Sequence, residues 1–172
     1  MTTLPINARL ARLGAVVAGF ALALTTPGIS AHAADDTAAA NKASITRSFE
    51  AWAAGTGGPY DLLSDDVQWT IPGRSMVART YPSREAFLSE VIRPFNARMR
   101  QPLKPVLRDI RAEGDAVIVL FDASSIATDG IAYSNTYSWH LRLRGQRIIA
   151  ATAFFDSIAF DEMWKRVPVS AR

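Results

Sequence analysis

One strand near the C-terminus gathers most of the side chains that could do chemistry. In SNTYSWHLRLR, residues 134–144, alternation puts Asn135, Tyr137, Trp139, Leu141 and Leu143 on one face. Ser138, His140, Arg142 and Arg144 fall on the other. An amide, a phenol and an indole in a row make a wall that is apolar in bulk and hydrogen-bonding at its tips. Such a wall suits a ligand pocket or a core. A second strand follows and ends on Asp156, which brings a lone carboxylate to the end of that wall. Its neighbours Phe154, Phe155 and Ile158 are apolar, surroundings that equip a carboxylate as a general base. Asp156 and Ser157 also stand where a helix begins, and both are preferred N-caps. Asp122, after Val119, Leu120 and Phe121, is the second catalytic candidate, facing a pocket, a core partner or solvent. The ligand-binding candidates are Asn135, Tyr137, Trp139, Phe154, Trp52 and Trp69, with core packing as the competing role for the aromatics. His140 falls on the face opposite Tyr137 and Trp139 and is expected to point outward.

The 172 residues carry no Cys and a net charge of +3. Arg9 and Arg12 precede an uncharged apolar run, Leu13 to Leu24, which Pro27 and Gly28 break. Ala31-His32-Ala33 then supplies the small-x-small pattern of a signal-peptidase site, so residues 1–33 are expected to be a secretory leader. The run is shorter than the roughly 20 residues of a membrane span. After cleavage no stable membrane anchor is expected, and the protein is expected in a periplasm or outside the cell. The leader's two arginines account for two of the three net positive charges, leaving +1 for residues 34–172. A near-neutral chain without single-sign blocks gives no footprint for nucleic acid. Metal sites built from Cys or clustered His are excluded by count, since His140 is the sole mature imidazole. Ser-His-Asp and Cys-His arrangements, phosphate loops and dinucleotide fingerprints are absent, and no cofactor is expected.

The positioning elements follow from pattern. Ile45, Phe49 and Trp52 form one stripe of a helix over about 37–54, ended by Gly55-Thr56-Gly57-Gly58-Pro59. Val67, Trp69 and Ile71 alternate in a short strand closed by Pro72-Gly73. Ser83 caps a helix bearing Phe87, Leu88, Val91, Ile92 and Phe95, with Pro94 predicting a kink near Ile92-Arg93. Four strands joined by short turns and a C-terminal helix over 158–167 complete the chain. Helices first and an antiparallel meander after is an α+β pattern, with a cavity between helices and sheet as the natural ligand site.

Two motifs carry a family resemblance. Leu63-Ser64-Asp65-Asp66-Val67-Gln68-Trp69-Thr70-Ile71-Pro72-Gly73 resembles the first-strand motif of the SnoaL-like group within the nuclear transport factor 2-like superfamily. Asn135-x-Tyr137-x-Trp139, Gly145, Ile148 and Phe154-Phe155-Asp156-Ser157 resemble that group's closing strands. The resemblance spans about 38–165. It implies a cone-shaped, curved antiparallel sheet covered by N-terminal helices, an interior pocket for a small hydrophobic ligand, and a homodimer through the outer sheet face. It also implies cofactor-independent acid–base chemistry of the isomerase, cyclase, dehydratase or hydrolase type as one use of the pocket. A non-catalytic binding protein or dimerisation module is the other. Ketosteroid isomerases of this superfamily carry an Asp and a Tyr at positions that here hold Ile71 and Ser48, so their proton shuttle is missing. The cyclases use a carboxylate near the late strands, which Asp156 matches. Many relatives have Glu-Tyr just before it where this chain has Ala153-Phe154.

Overall fold

The computed structural model describes residues 28–169, with side chains from residue 34 onward. Most of the expected leader lies outside the described residues. Helix α1, Gly28–Ala54, begins within its last six. Its inward stripe is Ala38, Asn41, Ile45 and Phe49, with Trp52 half-buried at the end. Gly55 takes φ 72 and stops the helix, while Thr56 N–H donates back to the Ala51 carbonyl. This left-handed step is open to Gly at little steric cost. A 3-10 turn, Pro59–Leu62, leads into the sheet.

The sheet has six strands in the order β2-β1-β6-β5-β4-β3. They are β1 Leu63–Ile71, β2 Arg79–Tyr81, β3 Lys104–Glu113, β4 Ala116–Ile126, β5 Ala132–Arg144 and β6 Arg147–Phe155. The expected meander β3-β4-β5-β6 is present and antiparallel. The sheet is nevertheless mixed rather than wholly antiparallel, because β1 pairs with β6 in parallel. The helical segment after β2 returns the chain to the meander's far edge, and that crossover leaves the first and last long strands running the same way.

Ser83 caps α2, Arg84–Phe87, as its type predicts, by accepting from Ala86 N–H. The kink expected from Pro94 takes the form of a π turn, Leu88–Ile92, between α2 and α3, Arg93–Ala97. The wider turn ahead of Pro94 accommodates a residue that has no N–H to give and whose ring crowds the preceding turn. Helix α4, Ser157–Arg166, closes the chain and presents Phe160 and Met163 inward. No helix among the described residues is long and apolar enough to cross a membrane.

One continuous core joins α1, the helical segment 84–97 and the inner sheet face. Alternation on β5 is strict, with Tyr133, Asn135, Tyr137, Trp139, Leu141 and Leu143 all buried. On β6 it breaks. Leu143 pairs with Ile148 and Arg142 with Ala150, so Ile149 is an extra residue in the ladder. That bulge shifts the inward parity to Ala151, Ala153 and Phe155.

Candidate functional site

Between the sheet and the helices lies a cavity of about 310 Å³. Nine of its eighteen lining residues are aromatic, which makes rings rather than aliphatic chains its dominant surface. β5 contributes Tyr137 and Trp139, β1 contributes Trp69 and Ile71, and α1 ends beneath it on Trp52. Phe87, Val91, Ile92 and Phe95 close it from the helical side, and Phe155 and Phe160 from the far end of the sheet and α4. The exposed lining residues, Gly57, Asp61 and Asn96, mark its opening.

The rings hold each other in fixed orientations. Trp69 stacks on Phe87 at 4.2 Å and meets Trp139 edge-on at 5.1 Å. Trp52 and Trp139 lie nearly parallel at 6.1 Å, and Tyr137 stacks on Phe121 at 4.9 Å. Each such pair adds about 0.5–1.5 kcal/mol beyond its buried area, so the wall is rigid as well as apolar.

The polar content of the wall is a hydrogen-bonded chain. Asn135 Oδ1 accepts from Asp156 N–H at 2.9 Å, while its Nδ2 donates to the Asp156 carbonyl at 2.9 Å and to the Tyr133 hydroxyl at 3.1 Å. The Asp156 N–H can only donate, which fixes the amide's orientation. The Tyr133 and Tyr137 hydroxyls are 2.8 Å apart. The Asn135 amide donates to Tyr133 and the two phenols share one hydrogen bond, so the pair keeps one O–H free. Burial pushes the Tyr133 and Tyr137 phenols above their ordinary range; hydrogen bonds to Tyr137 and Asn135 oppose the rise at Tyr133, and Tyr133 and Tyr60 add to it at Tyr137. Burial, followed by Tyr133, raises Tyr60 likewise. The three phenols are therefore neutral donors at physiological pH.

Among the described lining residues there is no Lys, Arg or His, and Asp61 is the sole carboxylate. Asp61 Oδ2 accepts from Gly58 N–H at 2.9 Å and holds the 3-10 turn closed at the opening. Among the described residues no group of three or more His, Asp or Glu is placed to hold a metal.

Five sequence candidates meet at or behind the cavity. Tyr137, Trp139, Trp52 and Trp69 line it, and Asn135 stands behind Tyr133 and Tyr137. The other three are elsewhere. Asp156 is exposed, and its Oδ1 accepts from Ile158 and Ala159 N–H at the start of α4. Asp122 points to the outer sheet face, accepting from Thr136 Oγ1 at 2.6 Å and lying 3.5 Å from Arg108 Nη1. Both aspartates border a shallow outer depression with Lys104 and Arg108, not the aromatic cavity. Phe154 is 47% exposed, with its ring against His140 on the outer face. The bulge at Ile149 is the reason, since it turns Phe155 inward in place of Phe154. His140 is exposed on that outer face, as its parity predicts.

Two kinds of residue in or behind the cavity lining escaped sequence reasoning. Tyr133 was legible, since it continues the alternation of Asn135 and Tyr137 by one step. Tyr60, Asp61, Asn96 and Phe160 carry no local signal, because packing between distant elements brings them here.

This arrangement, a curved mixed sheet wrapped on helices around an interior cavity, is the nuclear transport factor 2-like fold. Among solved structures, Bal32a from a soil-derived mobile gene cassette matches with a TM-score of 0.60 at 23% identity, over 74% of this chain and 98% of its own. A nuclear transport factor 2-like protein of unknown function from Burkholderia pseudomallei matches with a TM-score of 0.59 at 19% identity, over 75% and 98%. A candidate SnoaL-like polyketide cyclase from Jannaschia matches with a TM-score of 0.57 at 16% identity, over 77% and 96%. At these identities the likeness is one of fold. No family model and no curated protein matches the chain.

Proposed function

We propose that the protein binds one uncharged, flat, hydrophobic molecule in the aromatic cavity, against the wall formed by Tyr137 and Trp139. The observation that carries this reading is a cavity of about 310 Å³ whose lining is half aromatic and has no cation among the described residues. Stacking supplies affinity without charge, and the Asn135–Tyr133–Tyr137 hydrogen bonds hold the phenol side of the wall in place. Acid–base chemistry through Asp156 is the weaker reading. That carboxylate is engaged by two α4 N–H groups, and its link to the cavity runs only through Asn135 and the two phenols. The proposal includes export, which rests on the basic start, the apolar run and Ala31-His32-Ala33.

The test uses the neutral fluorophore N-phenyl-1-naphthylamine. Its emission is expected to rise on mixing, saturating at one molecule per chain. Ala153 faces the cavity in register with Trp139, so Ala153→Leu fills space that a ligand needs. It should weaken the fluorophore at least about tenfold. Absence of binding, or binding indifferent to Ala153→Leu, rejects the pocket. Native mass spectrometry of the purified protein would show any ligand it carries from its source.

A further inference from the structure

Trp69 is 1% exposed, lines the cavity, and its Nε1–H has no hydrogen-bond partner among the described residues. Buried donors are ordinarily satisfied, and one left without an acceptor carries a desolvation penalty. Its neighbours explain why the protein itself offers nothing. One ring face is covered by Phe87, and Trp139 and Tyr60 stand around it at 5.1 and 6.2 Å. The strand alternation that points Trp69 inward also points the hydroxyl and amide of Thr70 and Gln68 away. Thr70 bonds Thr80, and Gln68 bonds the Pro82 carbonyl.

We propose that Trp69 is the specificity-determining residue of this cavity, its indole N–H donating to an uncharged oxygen acceptor on the bound molecule. The inference rests on the binding reading above and narrows it to flat aromatic compounds bearing a carbonyl or ether oxygen. Bare hydrocarbons are disfavoured because they leave the donor unpaired. A site that hydrogen-bonds its ligand rejects the analogue lacking that group more strongly than it rejects a small change in apolar size. Carboxylates are disfavoured because no described lining residue is a cation and the phenols stay neutral, so a buried anion finds no counter-charge.

Displacement of N-phenyl-1-naphthylamine by three compounds of one shape tests this: 9-fluorenone, fluorene and fluorene-9-carboxylate. The expected order in the wild-type protein is fluorenone about tenfold tighter than fluorene, with the carboxylate weakest. Trp69→Phe keeps an aromatic ring and removes the N–H. It should bring the fluorenone-to-fluorene affinity ratio from about ten to about one, a ratio in which the lost ring area cancels because both compounds share it, and measurable fluorene binding by the variant shows that the pocket is intact. In the wild-type protein, fluorenone and not fluorene should move one indole N–H proton downfield, a readout that does not depend on the variant's folding. Equal affinities for fluorenone and fluorene, or a preference that survives Trp69→Phe, overturns the inference and leaves the pocket standing. Failure of the fluorophore itself to bind overturns both.

Discussion

Asn135→Ala is the sharpest perturbation this structure offers. The amide is 7% exposed and makes three hydrogen bonds, two to the Asp156 backbone and one to Tyr133. It therefore ties β5 to the start of α4 and anchors the phenol pair through Tyr133. Each bond contributes about 1 kcal/mol, and truncation leaves the Asp156 N–H and carbonyl without their partners, so the loss should be about 3 kcal/mol. For a domain of this size that lowers Tm by about 10 °C. Thermal and urea unfolding followed by circular dichroism would read it, with Ser134→Ala on the exposed face as a near-neutral control. Asn135→Asp discriminates between lost volume and lost directionality. It preserves the shape but sets a carboxylate oxygen against the Asp156 carbonyl, so it should destabilise at least as much as Ala. If Asn135→Ala shifts Tm by less than about 3 °C, or if Asp is tolerated, the tethering argument is wrong.

Asp156→Ala should cost about 1 kcal/mol through loss of the α4 cap, and Asp156→Asn less than half of that, with the N-phenyl-1-naphthylamine affinity unchanged in both. A large loss of binding in the Asn variant would return Asp156 to the site. The phenols of Tyr60, Tyr133 and Tyr137 are raised in the folded state, so their contribution is intact below the unfolded pKa of about 10 and is lost as pH climbs above it. Absorbance at 295 nm should show these three ionising only together with unfolding, and early reversible ionisation of all four tyrosines would contradict their burial. If residues 1–33 act as the proposed leader, mass spectrometry of the protein expressed from its full sequence should find Ala34 at the N-terminus. Loss of residues 28–33 leaves Ala38 and Asn41, the first buried side chains among the described ones, in place, so Tm should not fall. Phe154→Ser, on the outer face, should leave fluorophore binding within about twofold, whereas Phe155→Ser should weaken it at least about fivefold.

The inward face of β5 was legible because a strand's period is fixed by backbone geometry. Asn135, Tyr137 and Trp139 therefore came out correctly, and His140 fell outside. The stripe of Ile45, Phe49 and Trp52 and the Ser83 cap were legible for the same local reason. Phe154 was misplaced because one extra residue at Ile149 reverses parity for everything after it, and a bulge leaves no mark in composition. Asp122 was undecided from its strand, since a period says which residues share a face and not which face is inward.

By itself the sequence determined which residues share a face on the helices and on the strands without a bulge, the turns between them and the superfamily they resemble, because these follow from spacings of two to four residues. Tertiary packing alone decided that Trp69, from the first strand, stands against Trp139 of the fifth and Phe87 of the second helix, leaving an indole donor unpaired in an aromatic cavity. It also decided that Asp156 spends its carboxylate on α4 while its backbone holds Asn135. Those outcomes depend on distances between elements far apart in the chain, which the shapes and volumes of whole side chains set and no local period encodes.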